Sequence, residues 1–154
     1  MKASSASSKR PRPKAGATVA QTAQPFTSVR FAVGIEGLES TRAVEVIFPT
    51  ARIVNSTRKR RAVQFDTLVI RRGLTPSTEW YDWWNQARRS TRAIPRRQVT
   101  VVLQDASGAE GMRWLFPDSV PLSYSLSPLN ALIGAAVIES LELQVGGFEL
   151  YKRQ

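Results

Sequence analysis

The sequence predicts a mainly β protein, an antiparallel barrel or sandwich with one amphipathic α-helix at about residues 75–88. Short segments in which apolar and polar residues alternate recur through the chain, as expected for strands with one buried face. Only one segment has the 3.6-residue period of a helix. Because helices do not alternate with strands, we do not expect the parallel sheet of a βαβ protein.

The helix is predicted by a stripe of aromatic residues that follows Thr75 and Pro76. A threonine side chain can cap free backbone N–H groups, and proline suits the first turn of a helix. Trp80, Trp83 and Trp84 then fall at positions i, i+3 and i+4, so they share one face. This face is predicted to pack on the core of the protein. The alternative is an exposed platform on which nucleic-acid bases stack.

Six longer segments have the composition or the alternation of strands, and they span residues 29–35, 44–48, 62–72, 98–104, 112–116 and 136–145. Shorter strand-like pieces stand at 52–54 and 148–151. The sequence Asp-Ala-Ser-Gly-Ala at 105–109 predicts a hairpin turn. Pro117 and Pro121 predict an irregular link after the fifth of the longer segments, because proline interrupts strands. In the second segment, Val44, Val46 and Phe48 alternate with polar or smaller neighbours.

The composition limits the chemistry that this chain can perform. A length of 154 residues is typical of one domain with a substantial core. Cysteine and histidine are both absent, so thiolate sites, imidazole metal sites and the commonest general base are missing. The sequence also contains no phosphate-binding loop, nucleophile elbow or dinucleotide fingerprint. We therefore predict no enzyme activity, no catalytic residue, no cofactor and no bound metal.

Residues 1–25 are predicted to form a disordered basic arm, and residues 26–154 the folded domain. The arm carries five lysines and arginines, and the first acidic residue of the chain is Glu36. It is rich in Ser, Ala, Pro and Thr, so it cannot bury enough apolar surface to offset its ordering entropy. It is either a passive solubilising tail or an arm that orders on a neighbouring subunit or an acidic partner. The chain has neither an apolar stretch long enough to span a membrane nor a secretion signal core, so we expect no membrane insertion.

Two basic clusters remain in the predicted domain. The first is Arg58, Lys59, Arg60 and Arg61, which follows the turn formers after Asn55. The second is the arginine-rich segment 88–97, which follows the predicted helix. Both are interpreted as solvated segments, although the net charge of +10 also suits a stand-alone basic nucleic-acid-binding domain. Neither cluster has the interleaved aromatic residues that are typical of single-strand binders.

The order of three motifs resembles a known family. They are Phe-Ala-Val-Gly-Ile-Glu-Gly at 31–37, Leu-Val-Ile-Arg-Arg-Gly-Leu at 68–74 and Trp-Tyr-Asp-Trp-Trp at 80–84. Together with later pieces at 98–108, 113–121, 136–143 and 147–150, they resemble the tail-tube (inner tube) proteins of contractile-tailed bacteriophages and related contractile injection systems. The resemblance covers about residues 29–150. The chain departs from the family in its first hairpin at 42–48, in a short 54–61 loop and in its basic arm, so it resembles a divergent member.

The resemblance implies a ring-forming β-barrel subunit with a structural function. Such subunits form six-membered rings that stack into a hollow tube, which conducts DNA in a phage or a protein payload in an injection particle. The implied partners are other copies of the chain, neighbouring rings, sheath and baseplate proteins, and the cargo. The implied location is the tail tube of a virion or injection particle, assembled in the bacterial cytoplasm. Arg58, Lys59, Arg60 and Arg61 would then face a neighbouring subunit or the channel.

Overall fold

The computed structural model describes residues 24–27, 30–40, 42–55 and 61–153. Most of the predicted basic arm therefore lies outside the described residues. The described chain forms nine strands and one helix: β1 (Phe31–Ile35), β2 (Ala43–Ile47), β3 (Ala51–Asn55), β4 (Arg61–Phe65), β5 (Leu68–Gly73), α1 (Glu79–Arg89), β6 (Arg97–Gln104), β7 (Glu110–Leu126), β8 (Ile138–Gln144) and β9 (Glu149–Lys152).

Seven strands form one continuous antiparallel sheet, and two strands form a separate hairpin. The order in the large sheet is β1-β6-β7-β8-β5-β2, and β9 pairs with β7 on the side opposite β6. The hairpin consists of β3 and β4 alone. The two halves of the large sheet contribute side chains to one core, while β1 and β2 remain its unjoined ends. The prediction of a mainly antiparallel β fold with one helix is confirmed, in the form of an open barrel.

Strand β7 is much longer than the sequence predicted. It runs through both prolines that were expected to make an irregular link. Its first part pairs with β6 and its last part pairs with β8. The exchange occurs at a bulge, where Pro117 and Asp118 stand opposite the single residue Gln98 and Asp118 has a φ of 53°. The Ser119 hydroxyl closes the bulge by donating a hydrogen bond to the Phe116 carbonyl oxygen at 3.0 Å. A bulge tolerates proline because the ladder is locally interrupted there.

Two other strand predictions were wrong in detail. The predicted strand at 62–72 is divided into β4 and β5, because β4 leaves the large sheet to pair with β3. The backbone N–H of Asp66 donates to the Thr50 carbonyl oxygen at 3.1 Å at this division. In β2 a bulge between Ala43 and Glu45 makes Val44 the extra residue, so Val44 is exposed while Ala43 and Val46 pack on the core.

Helix α1 begins four residues later than its sequence signals indicated. The Thr75 hydroxyl oxygen accepts a hydrogen bond from the Ser77 N–H at 3.3 Å, which forms a local turn before the helix. Just before it, the Leu74 N–H donates to the Val137 carbonyl oxygen at 2.8 Å and ties the chain to the sheet. The N-cap residue is Thr78, without a side-chain capping bond. The predicted start at Thr75 is therefore wrong, because this hydroxyl satisfies a turn instead of a helix terminus.

The aromatic face of α1 closes one end of the barrel. Trp80 and Trp83 are buried in the core, and Trp84 packs half-buried at its margin. The indole N–H of Trp83 donates to the Pro95 carbonyl oxygen at 2.8 Å, and that of Trp84 to the Leu122 carbonyl oxygen at 3.2 Å. Each large apolar side chain buried in this way contributes about 1.5–3 kcal/mol. Because buried rings cannot stack on nucleic-acid bases, the burial of Trp80 and Trp83 favours packing on the core over an exposed platform.

Candidate assembly surfaces

A buried ion pair fixes the helix end of the barrel. Arg72 on β5 and Glu139 on β8 are directly paired across the sheet, and the Arg72 Nε donates to Glu139 Oε1. The Tyr124 hydroxyl donates to Glu139 Oε2 at 2.7 Å, and the Arg72 guanidinium lies 4.1 Å from the centroid of the Trp80 ring. Burial and the neighbouring Glu139 carboxylate raise the pKa of Tyr124 to about 12. Both oxygens of the carboxylate accept hydrogen bonds from within the fold, so this cluster positions the helix on the sheet.

The sequence carries a signal for this cluster, namely a charged residue at an inward position of each of two strands. Glu139 shares the face of β8 that carries Leu141 and Leu143, and Arg72 shares the face of β5 that carries Leu68 and Ile70. A charged residue at an inward position of a strand predicts a buried partner, because an unpaired charge in a core is very unfavourable. The alternation identifies the two residues, but only the register of β5 against β8 pairs them.

Three strands of the large sheet have a side without a partner strand in the part of the chain that the structure describes. They are the end strands β1 and β2, and β9 on the far side of β7. Unpaired N–H and C=O groups along such strands can pair with another chain. Strand β9 is short and exposed throughout, so it offers a free edge to solvent.

The hairpin of β3 and β4 extends away from the core. All residues of β3 and all of β4 except Phe65 are exposed. Phe65 anchors the base of the hairpin through a 5.9 Å contact between its ring centroid and that of Phe148. On the opposite face, Arg52 forms a two-bond ion pair with Asp66 at 2.9 and 3.0 Å. A two-stranded hairpin alone has marginal stability in water.

Of the four predicted basic site residues, the structure describes only Arg61, which lies on this hairpin. Arg61 is exposed at the start of β4, where it pairs in register with Asn55. Arg58, Lys59 and Arg60 lie outside the described residues. The structure thus places the one described member of the cluster on the hairpin, at the end farthest from the large sheet.

The second basic segment forms a surface at the carboxyl end of α1. Arg88, Arg89, Arg92 and Arg96 are exposed, and none of them makes an ion pair among the described residues, since Arg88 donates only to the neutral Asn85 side-chain oxygen at 3.0 Å. Arg97 instead turns inward, where it donates to the Glu36 carbonyl oxygen at 2.7 Å and lies 5.7 Å from the Trp83 ring. Positive charge is favoured at this end of a helix, because the carbonyl groups there point outward. The segment is therefore partly structural and partly an exposed cationic surface.

Among residues 24–27, 30–40, 42–55 and 61–153, no group of three or more histidine, cysteine or carboxylate side chains could hold a metal ion. No helix of this part is long and apolar enough to cross a membrane. An open apolar groove of about 400 Å³ runs between β1 and β2 and is lined by Phe31, Phe48, Leu103 and Trp114.

Comparison with known proteins agrees with this architecture. The model of the T4-like virus tail tube protein gp19 family matches residues 27–149. No curated protein sequence is significantly similar to the chain. The family match covers β1 through the first residue of β9, so it includes the large sheet, the hairpin and the helix.

Solved structures share the fold at low sequence identity. The sheath/tube terminator of an extracellular contractile injection system, PVC, in the extended state has a TM-score of 0.67 and 17% identity, covering 84% of this chain and 98% of that one. The anti-feeding prophage tube-terminating cap has a TM-score of 0.66 and 12% identity, covering 86% and 94%. Hcp1 from Flavobacterium johnsoniae has a TM-score of 0.60 and 13% identity, covering 80% and 95%.

The fold, the family match and these structures lead to the same assignment. The chain belongs to the T4-like virus tail tube protein gp19 family and is a structural subunit of the inner tube of a contractile system.

Proposed function

We propose that six copies of this chain close into a ring, and that the rings stack into a hollow conduit for DNA or protein cargo. The family match over residues 27–149 carries this proposal. Free strand edges at β1, β2 and β9 support it, because they can join one subunit to the next without new secondary structure. Ring subunits meet through two different faces, and the rotation between neighbours sets the copy number.

The proposed role is structural and involves no catalytic step. The buried cluster of Arg72, Glu139 and Tyr124 uses its polar atoms to hold the helix on the sheet. The proposed partners are neighbouring rings, the sheath and the baseplate of the particle. We also propose that the subunit is assembled in the bacterial cytoplasm, and that its amino-terminal basic arm is dispensable for folding.

The cluster from Arg58 to Arg61 has a particular consequence in a ring. Six copies would place about 24 positive charges on one circle, at distances where repulsion is considerable unless solvent, acids or an anionic cargo reduce it. We therefore propose that this basic cluster faces a neighbouring subunit or the channel. Tube formation is expected to depend on salt concentration.

Negative-stain electron microscopy of the purified protein tests the proposal, with native mass spectrometry to count subunits. Six-membered rings or tubes are the expected result. The competing function is that of a stand-alone nucleic-acid-binding domain, which the exposed arginines after α1 favour. A protein that stays monomeric at high concentration and binds DNA tightly, with affinity falling as salt rises, would overturn the tube proposal.

A further inference from the structure

The turn between β7 and β8 exposes an unusual amount of apolar surface. Leu129, Leu132 and Ile133 are 81, 97 and 71% exposed. No charged residue occurs between Leu126 and Ile138. Single exposed apolar side chains are common, but three together in an uncharged segment indicate a surface that another molecule covers.

Internal hydrogen bonds hold this turn in one conformation. Asn130 Oδ1 accepts from the Leu132 N–H at 3.0 Å, and the Asn130 carbonyl oxygen accepts from the N–H groups of Ile133 and Gly134 at 3.3 Å. Gly134 follows with a φ of 61°, a conformation that favours glycine. At the base, the Ser127 N–H donates to the Ile138 carbonyl oxygen at 2.8 Å. These hydrogen bonds therefore fix the backbone that carries the three exposed apolar side chains.

A second exposed apolar surface lies on the hairpin. Ile53 and Val63 are direct cross-strand partners, and they are 65 and 55% exposed. They continue the face on which Ala51 is paired with Phe65, and Phe65 packs on the core. Cross-strand pairs of aliphatic side chains stabilise a ribbon mainly when the face that carries them is covered. This face thus lacks a cover in the isolated subunit.

The hairpin and the turn, which carry the two surfaces, extend from opposite ends of the same strands. The hairpin departs where Ile47 of β2 pairs with Val69 of β5, close to the start of β5. The turn departs where Gly73, at the end of β5, pairs with Ile138. Val69 and Gly73 are four residues apart on β5, so these two positions are separated by about 13–14 Å.

We propose that the turn of one copy packs on the Ile53–Val63 face of the hairpin of a second copy, in the next ring of the stack. This inference rests on the proposed tube. Each subunit supplies the hairpin at one end and the turn at the other, so the contact repeats along an axis and does not close into a dimer. The uncharged turn also fits beside Arg61, which shares this face of the hairpin, because it brings no further positive charge toward it.

Disulfide trapping tests this contact directly, because the chain has no cysteine of its own. The double variant Ile53→Cys with Leu132→Cys is assembled, oxidised mildly and examined on a denaturing gel without reductant. A ladder that extends well beyond the dimer is expected, since each copy is linked to one above it and one below it. The matched control, Val44→Cys with Leu132→Cys, also places two cysteines at exposed apolar positions and is expected to give no ladder.

A second variant separates stacking from ring formation. Leu129→Glu with Leu132→Glu is expected to keep the melting temperature and the rings but to lose the stacks under the electron microscope. Ile94→Glu, at an exposed apolar position in the basic segment, serves as the control and should still stack. Tubes in the wild type with no ladder in the double-cysteine variant would overturn this contact alone. Loss of the rings in the glutamate variant would assign the turn to the ring interface, and a wild type without rings or tubes would overturn the proposed function as well.

Discussion

Two close ion pairs in this protein have very different surroundings. Arg72 and Glu139 are almost completely buried, with side chains 5 and 1% exposed, and Tyr124 and Trp80 complete their environment. Arg52 and Asp66 have equally good contact geometry at the base of the hairpin, but their side chains are 55 and 44% exposed. The charged groups at the helix end of the barrel are buried by residues of the same subunit. The hairpin is exposed, so its stability depends on what packs against it.

The largest expected effect at the helix end comes from Trp83. Replacing it with alanine removes a fully buried ring and the hydrogen bond to the Pro95 carbonyl oxygen, so the free energy of unfolding should fall by about 3–5 kcal/mol. Denaturant unfolding followed by circular dichroism measures this change. Tyr81→Ala, on the exposed side of the same helix, is the matched control and should cost much less. Equal losses in the two variants would contradict the assignment of the buried face.

Breaking the buried ion pair should have an effect of similar size. Glu139→Ala leaves the Arg72 charge in the core without its carboxylate, a change that typically costs about 3–5 kcal/mol. The double replacement Arg72→Met with Glu139→Leu removes both charges and should recover much of that loss. Comparison of the single and the double variant by chemical denaturation checks this expectation. A double variant no more stable than the single one would show that packing, and not charge, dominates at this position.

Tyr124→Phe should have a smaller effect and should change the response to pH. It leaves one buried carboxylate oxygen of Glu139 without its hydrogen-bond donor, at a cost of about 1–3 kcal/mol. The folded protein raises the pKa of Tyr124 from 10.0 to about 12, so the unfolded chain loses this proton first as the pH rises. The associated stability is present below pH 10.0 and is lost as the pH approaches about 12. The stability difference between wild type and variant should therefore shrink over this interval in denaturation at stepped pH, and a constant difference would contradict the linkage.

The exposed pair should contribute little to the isolated subunit. Arg52→Ala is expected to lower the free energy of unfolding by less than about 1 kcal/mol, because solvent screens both charges. Thermal unfolding of the monomer measures this change, and Glu139→Ala in the same buffer provides the contrast. A loss as large as that of the buried pair would show that the hairpin is an integral part of the core.

The smallest expected effect on folding comes from the basic cluster at 58–61. Reversal of Arg58, Lys59, Arg60 and Arg61 to glutamate should leave the melting temperature of the monomer within about 1 °C, since the sequence predicts a solvated segment here and substitutions at exposed positions change stability little. Tube formation or cargo passage should change, and its dependence on salt should weaken. Sedimentation of assembled protein at several salt concentrations measures this, with reversal of the four exposed arginines Arg88, Arg89, Arg92 and Arg96 as a control of equal charge change. Unfolding of the charge-reversed variant would contradict the assignment of the basic cluster to an exposed segment.

Local side-chain pattern carried the sequence predictions that the structure confirmed. The alternation in β1 and β8 placed Val33 and Leu141 on buried faces, because successive residues of a strand point to opposite sides. The 3.6-residue period placed Trp80 and Trp83 together on α1. The turn at 105–109 formed as predicted, with Asp105 Oδ1 accepting from the Ser107 and Ala109 N–H groups. In each case the signal lies within a few residues of the structure that it forms.

The wrong predictions concern features that depend on partners distant in the chain. The division of β4 from β5 was missed because nothing in residues 62–72 shows that the first half pairs with β3 and the second half with β8. The long β7 was missed because Pro117 falls in a bulge, where its missing N–H interrupts no ladder bond. The start of α1 was placed too early because the Thr75 hydroxyl accepts from a nearby backbone group outside the helix.

By itself, the sequence determined which residues are apolar at strand or helix spacing, where charge is concentrated and which catalytic groups are missing. Those properties depend on residue type and local period, which are present in the unfolded chain. The tertiary structure alone decided that Arg72 meets Glu139, that β7 joins both halves of the sheet, and that the hairpin and the apolar turn leave opposite ends of β5. These are facts of register and connection, fixed only when distant strands pair and their inward side chains fill one core.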